Sequence, residues 1–140
     1  MFDFGFARSL PEKAVPTKDK DTTDPVYRLT ARMGTWRYMA PEVARGQPYN
    51  LKCDVYSTGL VLWEMLVGQK PHATLPNASD ELKAQVGVPP ALDAVDNEQW
   101  QAILQASWHV KVGQRWTMSQ VLSALQSLQQ EFHKQEKQHR

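Results

Sequence analysis

Cysteine is almost absent from the 140 residues. Cys53 stands alone, so no internal disulfide can form, which fits a reducing compartment. Long apolar runs are missing too. The longest, Leu60–Val67, is broken by Glu64 and is far too short to span a bilayer. The opening residues, Met1-Phe2-Asp3-Phe4-Gly5, offer neither a basic segment nor an apolar one, so no secretory signal is expected. Neither charge dominates: Lys and Arg number 16 against 15 Asp and Glu, a net charge of +1. That balance argues for no nucleic-acid partner and no membrane partner. His72, His109, His133 and His139 are scattered and lack metal-ligand spacing. The expectation is a cytoplasmic protein of one domain at most.

What is present is helical. Pro41 suits the first turn of a short helix over Pro41–Arg45, closed by Gly46. Asp54 reads as the N-cap of a second helix that ends at Gly68. Between them Val55, Leu60, Val61, Leu62, Trp63, Met65, Leu66 and Val67 occupy nearly every face, the pattern of a buried central helix. Residues 77–86 form a weaker helix candidate. Asn97 can cap another, with Trp100, Ile103, Leu104 and Trp108 on one stripe. Thr117 and Gln120 have capping-box spacing ahead of the stripe Val121, Leu122, Leu125, Leu128 and Phe132. Residues 9–33 are polar, carry Pro11, Pro16 and Pro25, and hold no period, so a mobile loop is expected there. The fold class is mainly α.

Two short motifs frame that loop. Asp3-Phe4-Gly5 opens it and Ala40-Pro41-Glu42 closes it. Either triplet is weak alone, but their order matches the protein-kinase signature set, which places a phosphosite loop between them. Gly34-Thr35-Trp36-Arg37-Tyr38-Met39-Ala40-Pro41-Glu42 resembles the substrate-side loop of protein kinases, and Asp54 with Gly59 resembles the family's Asp-x-x-x-x-Gly. Arg115, with Trp108 upstream, is similar to the arginine of the family's last subdomain. The chain thus resembles the C-terminal lobe of a protein kinase domain, from the activation segment onward, in the tyrosine-kinase-like group of Ser/Thr kinases.

The resemblance implies roles. Asp3 would bind the Mg²⁺ that bridges the phosphates of ATP, a hard cation that prefers oxygen ligands. Phe4 would pack as a latch, and Gly5 would let the backbone swing. Glu42 and Arg115 would form a buried ion pair tying the substrate loop to the helical base, with the guanidinium gripping both carboxylate oxygens. Asp54 would accept hydrogen bonds from the catalytic loop. Gly34 and Thr35 would face the acceptor, and the Gly-Thr-x-x-Tyr form favours Ser/Thr over Tyr acceptors in protein substrates. Thr22, Thr23 and Thr30 are the candidate phosphosites, each in need of a basic partner.

The sequence departs from the family in places. Phe6 replaces the usual leucine, Trp116 stands where proline is common, and Ser107 stands where cysteine is frequent. The larger departure is what these residues do not include: a Gly-rich phosphate loop, a strand lysine, an acidic partner helix and a His-Arg-Asp segment. The expected organisation is a partial kinase domain over 1–131, made of an activation segment (1–42) and a helical subdomain (43–131), followed by a frayed polar tail (132–140). Phosphoryl transfer needs several parts at once, so the chain alone is expected to be inactive. The missing N-terminal lobe, or another kinase, is a possible partner. The alternative is a non-catalytic kinase-like binding module that captures substrates or regulators. An uncovered central helix would leave ~500 Å² of apolar surface open, a loss of roughly 12 kcal/mol at ~25 cal/mol per Å². Marginal stability or aggregation follows.

Overall fold

The computed structural model describes residues 5, 7–13, 15 and 22–138. Among these the chain forms five helices, α1 (Pro41–Ala44), α2 (Lys52–Val67), α3 (Asp80–Ala84), α4 (Glu98–Ser107) and α5 (Met118–Gln138), with single 3-10 turns at Trp36–Tyr38 and Val112–Gln114. No strand forms among them; the only sheet-like pairings are the isolated bridges Val15–Val26 and Tyr27–Tyr49. The mainly α, kinase-lobe expectation describes this architecture.

Helix α2 is the hub. One face joins Tyr56, Leu60 and Trp63 to Met39, Ala40 and Val43 near α1 and to Leu104 and Trp108 of α4. Another puts Val55 against Ile103 of α4 and Val121 and Leu128 of α5. Gly59 makes the α2–α4 approach possible. A Cβ there would lie 2.8 Å from the Ser107 Cβ, closer than two carbons can come. Ser107 is wholly buried, its hydroxyl donating to the Ile103 carbonyl at 2.7 Å. This close crossing gives the Asp54–Gly59 spacing a packing reason for its glycine.

Helix ends follow local chemistry, with three corrections to the sequence reading. Asp54 is not the N-cap of α2. The helix begins at Lys52 with Leu51 at the N-cap position and no side-chain cap; Asn50, one residue earlier, accepts the Lys52 amide on its Oδ1 at 3.0 Å, and Asp54 sits in the first turn. The helix expected over 77–86 is shorter, because Ser79 caps α3 through the Leu82 amide and Asn77 is engaged elsewhere. Helix α5 continues past Phe132 to Gln138, with every side chain from Glu131 to Gln138 exposed, so the 132–138 segment is helical beyond the expected boundary. Other ends match. Gly68 closes α2 in the left-handed region, Asn97 caps α4 through the Trp100 amide, and Thr117 and Gln120 exchange capping bonds.

Helix α2 is also not buried all round. Asp54, Val61 and Met65 are exposed and Thr58 is half-buried, at offsets of four, three and four residues, which places them on one stripe facing away from the lobe. Val61 is 45% exposed and Met65 75%. The loop expectation for residues 9–33 also needs correcting over 22–30. That segment is tied down by the Tyr27–Tyr49 bridge, by Asn50 Nδ2 donating to the Pro25 carbonyl, and by a 2.6 Å ion pair between Lys52 and Asp24.

Candidate functional site

The site is built outward from the buried pair at the foot of α1. Arg115 and Glu42 are 1% and 5% exposed. Nη1 donates to Glu42 Oε1 at 2.6 Å and Nη2 to Oε2 at 3.1 Å, a two-pronged grip. Two further donors are also used: Nη1 reaches the Lys52 carbonyl at 2.9 Å and Nε the His109 carbonyl at 2.8 Å. The guanidinium carbon lies 5.1 Å from the Tyr56 ring centre. The pair therefore locks α1, the start of α2 and the approach to α5 into one unit.

Helix α1 follows the Trp36–Tyr38 turn, so the lock fixes the base of that loop. Gly34 and Thr35 are exposed at its mouth. Gly34 has φ +109, a backbone that side chains rarely adopt. The Thr35 carbonyl accepts from the Tyr38 amide at 3.1 Å, and its side chain makes no capping bond. Tyr38 anchors the turn to α2 twice: its hydroxyl donates to Glu64 Oε2 at 2.5 Å, and its carbonyl accepts from Ser57 Oγ at 2.8 Å. Burial, reinforced by the Glu64 carboxylate, pushes the Tyr38 phenol up to about 12. Lys83 of α3 lies 5.8 Å from the Trp36 ring centre. Tyr38 and Glu64 were absent from the sequence candidates. The signal was a tyrosine of the motif and a lone acid in an apolar helix.

The other candidates divide. Asp3 and Phe4 lie outside the described residues, and Gly5 is exposed in a turn. Asp54 is exposed and lines a cavity of about 370 Å³ together with Leu29, Met33, Tyr49 and Cys53. Burial, then the neighbouring Asp54 charge, raises the Cys53 thiol to about 12, so it is no reactive thiolate. Thr22 is 8% exposed and its hydroxyl accepts the Asp24 amide at 3.0 Å, whereas Thr23 and Thr30 are exposed. Among the described residues no three His, Cys, Asp or Glu side chains come together to hold a metal ion. No helix among them is long and apolar enough to cross a membrane.

The family model for the protein kinase domain matches residues 1–125. The chain belongs to the protein kinase family. It is 32% identical over 130 residues to the serine/threonine-protein kinase STY46 of Arabidopsis thaliana, covering 92% of this chain. It is 31% identical over 127 residues to the serine/threonine-protein kinase STY17 of the same plant, covering 90% of this chain. The match spans 20% of the length of each of these two relatives. Within the kinase frame, two departures acquire a packing context. Ser107 is the close contact of Gly59, and the Trp116 amide donates to the Ala106 carbonyl at 2.9 Å, securing the entry to α5.

Proposed function

We propose that the chain is the substrate-side helical part of a protein Ser/Thr kinase of the tyrosine-kinase-like group, working in the cytoplasm. The intact domain transfers the γ-phosphoryl group of ATP to Ser or Thr hydroxyls of proteins. The observation that carries this reading is the Glu42–Arg115 lock beneath an exposed Gly34-Thr35 mouth. In this reading Thr35 faces the acceptor, Asp54 receives the catalytic loop, and Asp3 is the one Mg²⁺ ligand that these residues contribute. ATP and Mg²⁺ belong, in this reading, to the intact domain, where phosphoryl transfer draws on several parts at once. The 140 residues alone do not turn over. Thr23 and Thr30 are better placed for modification than Thr22, whose hydroxyl is buried.

A second reading, a non-catalytic kinase-like binding module that captures substrates or regulators such as another kinase, draws on the open stripe of α2 and the cavity beside Asp54. The experiment is a phosphotransfer assay with labelled ATP and protein substrates. It compares the chain alone with the chain joined to the upstream lobe of an Arabidopsis relative. The proposal expects activity only in the joined protein. Activity in neither, with nucleotide-independent capture of a kinase by the chain alone, favours the second reading.

A further inference from the structure

Arg37 is a buried cation, 6% exposed, and no described carboxylate forms an ion pair with it. Its charge is held by neutral oxygens instead. Nη1 donates to the carbonyls of Pro71 at 2.5 Å and His72 at 2.6 Å. Nη2 donates to the Leu75 carbonyl at 2.7 Å and to Asn77 Oδ1 at 3.0 Å. A buried charge is costly unless such bonds replace its water. The loop over 71–77 carries features that fit this task. His72 adopts φ +50, uncommon for a side-chain residue, and its ring is held by the Val88 carbonyl at 3.0 Å. Asn77 gives its side-chain oxygen to Arg37, and Ser79 caps α3 instead.

The position of this cage matters. Arg37 is the middle residue of the Trp36–Tyr38 turn, two residues after Thr35. Tyr38 already ties that turn to α2. Arg37 ties it to a different element, the loop ahead of α3. We propose that Arg37 is a positioning residue, a pin whose guanidinium sets the shape of the 34–38 loop from the 71–77 side. Its functional meaning, the presentation of an acceptor, rests on the kinase reading above. The chemistry is specific to guanidinium. Two separate nitrogens each serve a separate pair of oxygens, a spread that one ammonium cannot match.

The test is native-state amide exchange on the full chain. The reporters are the amides of Tyr38, Met39 and Leu75, which bond to the carbonyls of Thr35, Trp36 and His72. Arg37→Ala should speed their exchange at least about tenfold, while the Val121 amide in α5 changes little. Guanidinium ion at about 20 mM, far below denaturing concentrations, should restore the three amides in Arg37→Ala. Arg37→Lys should not restore them. Leu128→Ala, which weakens the distant core, should respond to guanidinium in none of its amides. Unchanged exchange in Arg37→Ala, full protection in Arg37→Lys, or uniform acceleration without guanidinium rescue overturns the proposal. Phosphotransfer plays no part in the readout, so the pin and the kinase reading fail separately.

Discussion

Replacing Arg115 with methionine removes one of the most deeply buried side chains in the lobe and leaves its partner behind. Glu42 stays 5% exposed with neither of its two guanidinium bonds, and the carbonyls of Lys52 and His109 each lose a donor. Removing one side of a buried pair costs about 3–5 kcal/mol. A whole domain holds only ~5–15 kcal/mol, so Arg115→Met should remove a large share of the stability. Adding Glu42→Gln to the same chain removes the stranded charge. The double variant should recover about 1–2 kcal/mol relative to Arg115→Met alone. Urea unfolding followed by circular dichroism reads both quantities, with the midpoints converted through a common slope. A loss below about 1 kcal/mol in Arg115→Met, the range of exposed pairs, would refute the reasoning. So would strict additivity of the two single substitutions.

Gly59→Ala should destabilise the lobe by about 1–3 kcal/mol through the Ser107 clash, and Ser107→Gly in the same chain should recover part of the loss; a neutral Gly59→Ala in the same urea titration contradicts the crossing. The Val61→Lys/Met65→Lys pair should lower light scattering of concentrated protein while changing stability by less than about 0.5 kcal/mol, because both side chains already face solvent. Equal scattering would show that the α2 stripe is not the sticky surface. Cys53, Tyr38 and Tyr56 all have folded-state values raised to about 12, from 9.0 for the thiol and 10.0 for the phenols. Burial is the leading cause in each. The unfolded chain therefore loses these protons first. Their contribution is complete below about pH 9 and falls as pH rises toward 12. Urea midpoints that stay level across that window, or phenols that ionise near 10 in the folded chain, would contradict this.

What the sequence disclosed was local chemistry and motif order. Asn97, Thr117 with Gln120, and Gly68 act where their residue types suggest, because capping depends on neighbours a few positions away. The Glu42–Arg115 partnership, 73 residues apart, came from resemblance, since no periodicity links such distant positions. Long-range bonds were the hidden part. Asn77 looked like the start of α3 until Arg37 is seen to hold it. Asp54 is not a cap because the chain enters α2 about one turn earlier, with Leu51 at the N-cap and Asn50 bonding the Lys52 amide. The apolar run of α2 could not reveal that Val61 and Met65 stay open, since hydrophobicity alone does not say which face finds a partner. The tie between residues 22–30 and the start of α2 depends on Asp24 meeting Lys52, again invisible locally.

The most direct measurement is phosphoamino-acid analysis of protein substrates labelled by the chain joined to a kinase upstream lobe, run beside the 140 residues alone. The account predicts phosphoserine and phosphothreonine from the joined protein, loss of the signal with Asp3→Asn, and no label from the chain alone. Phosphotyrosine as the main product, or label from the 140 residues by themselves, would contradict it.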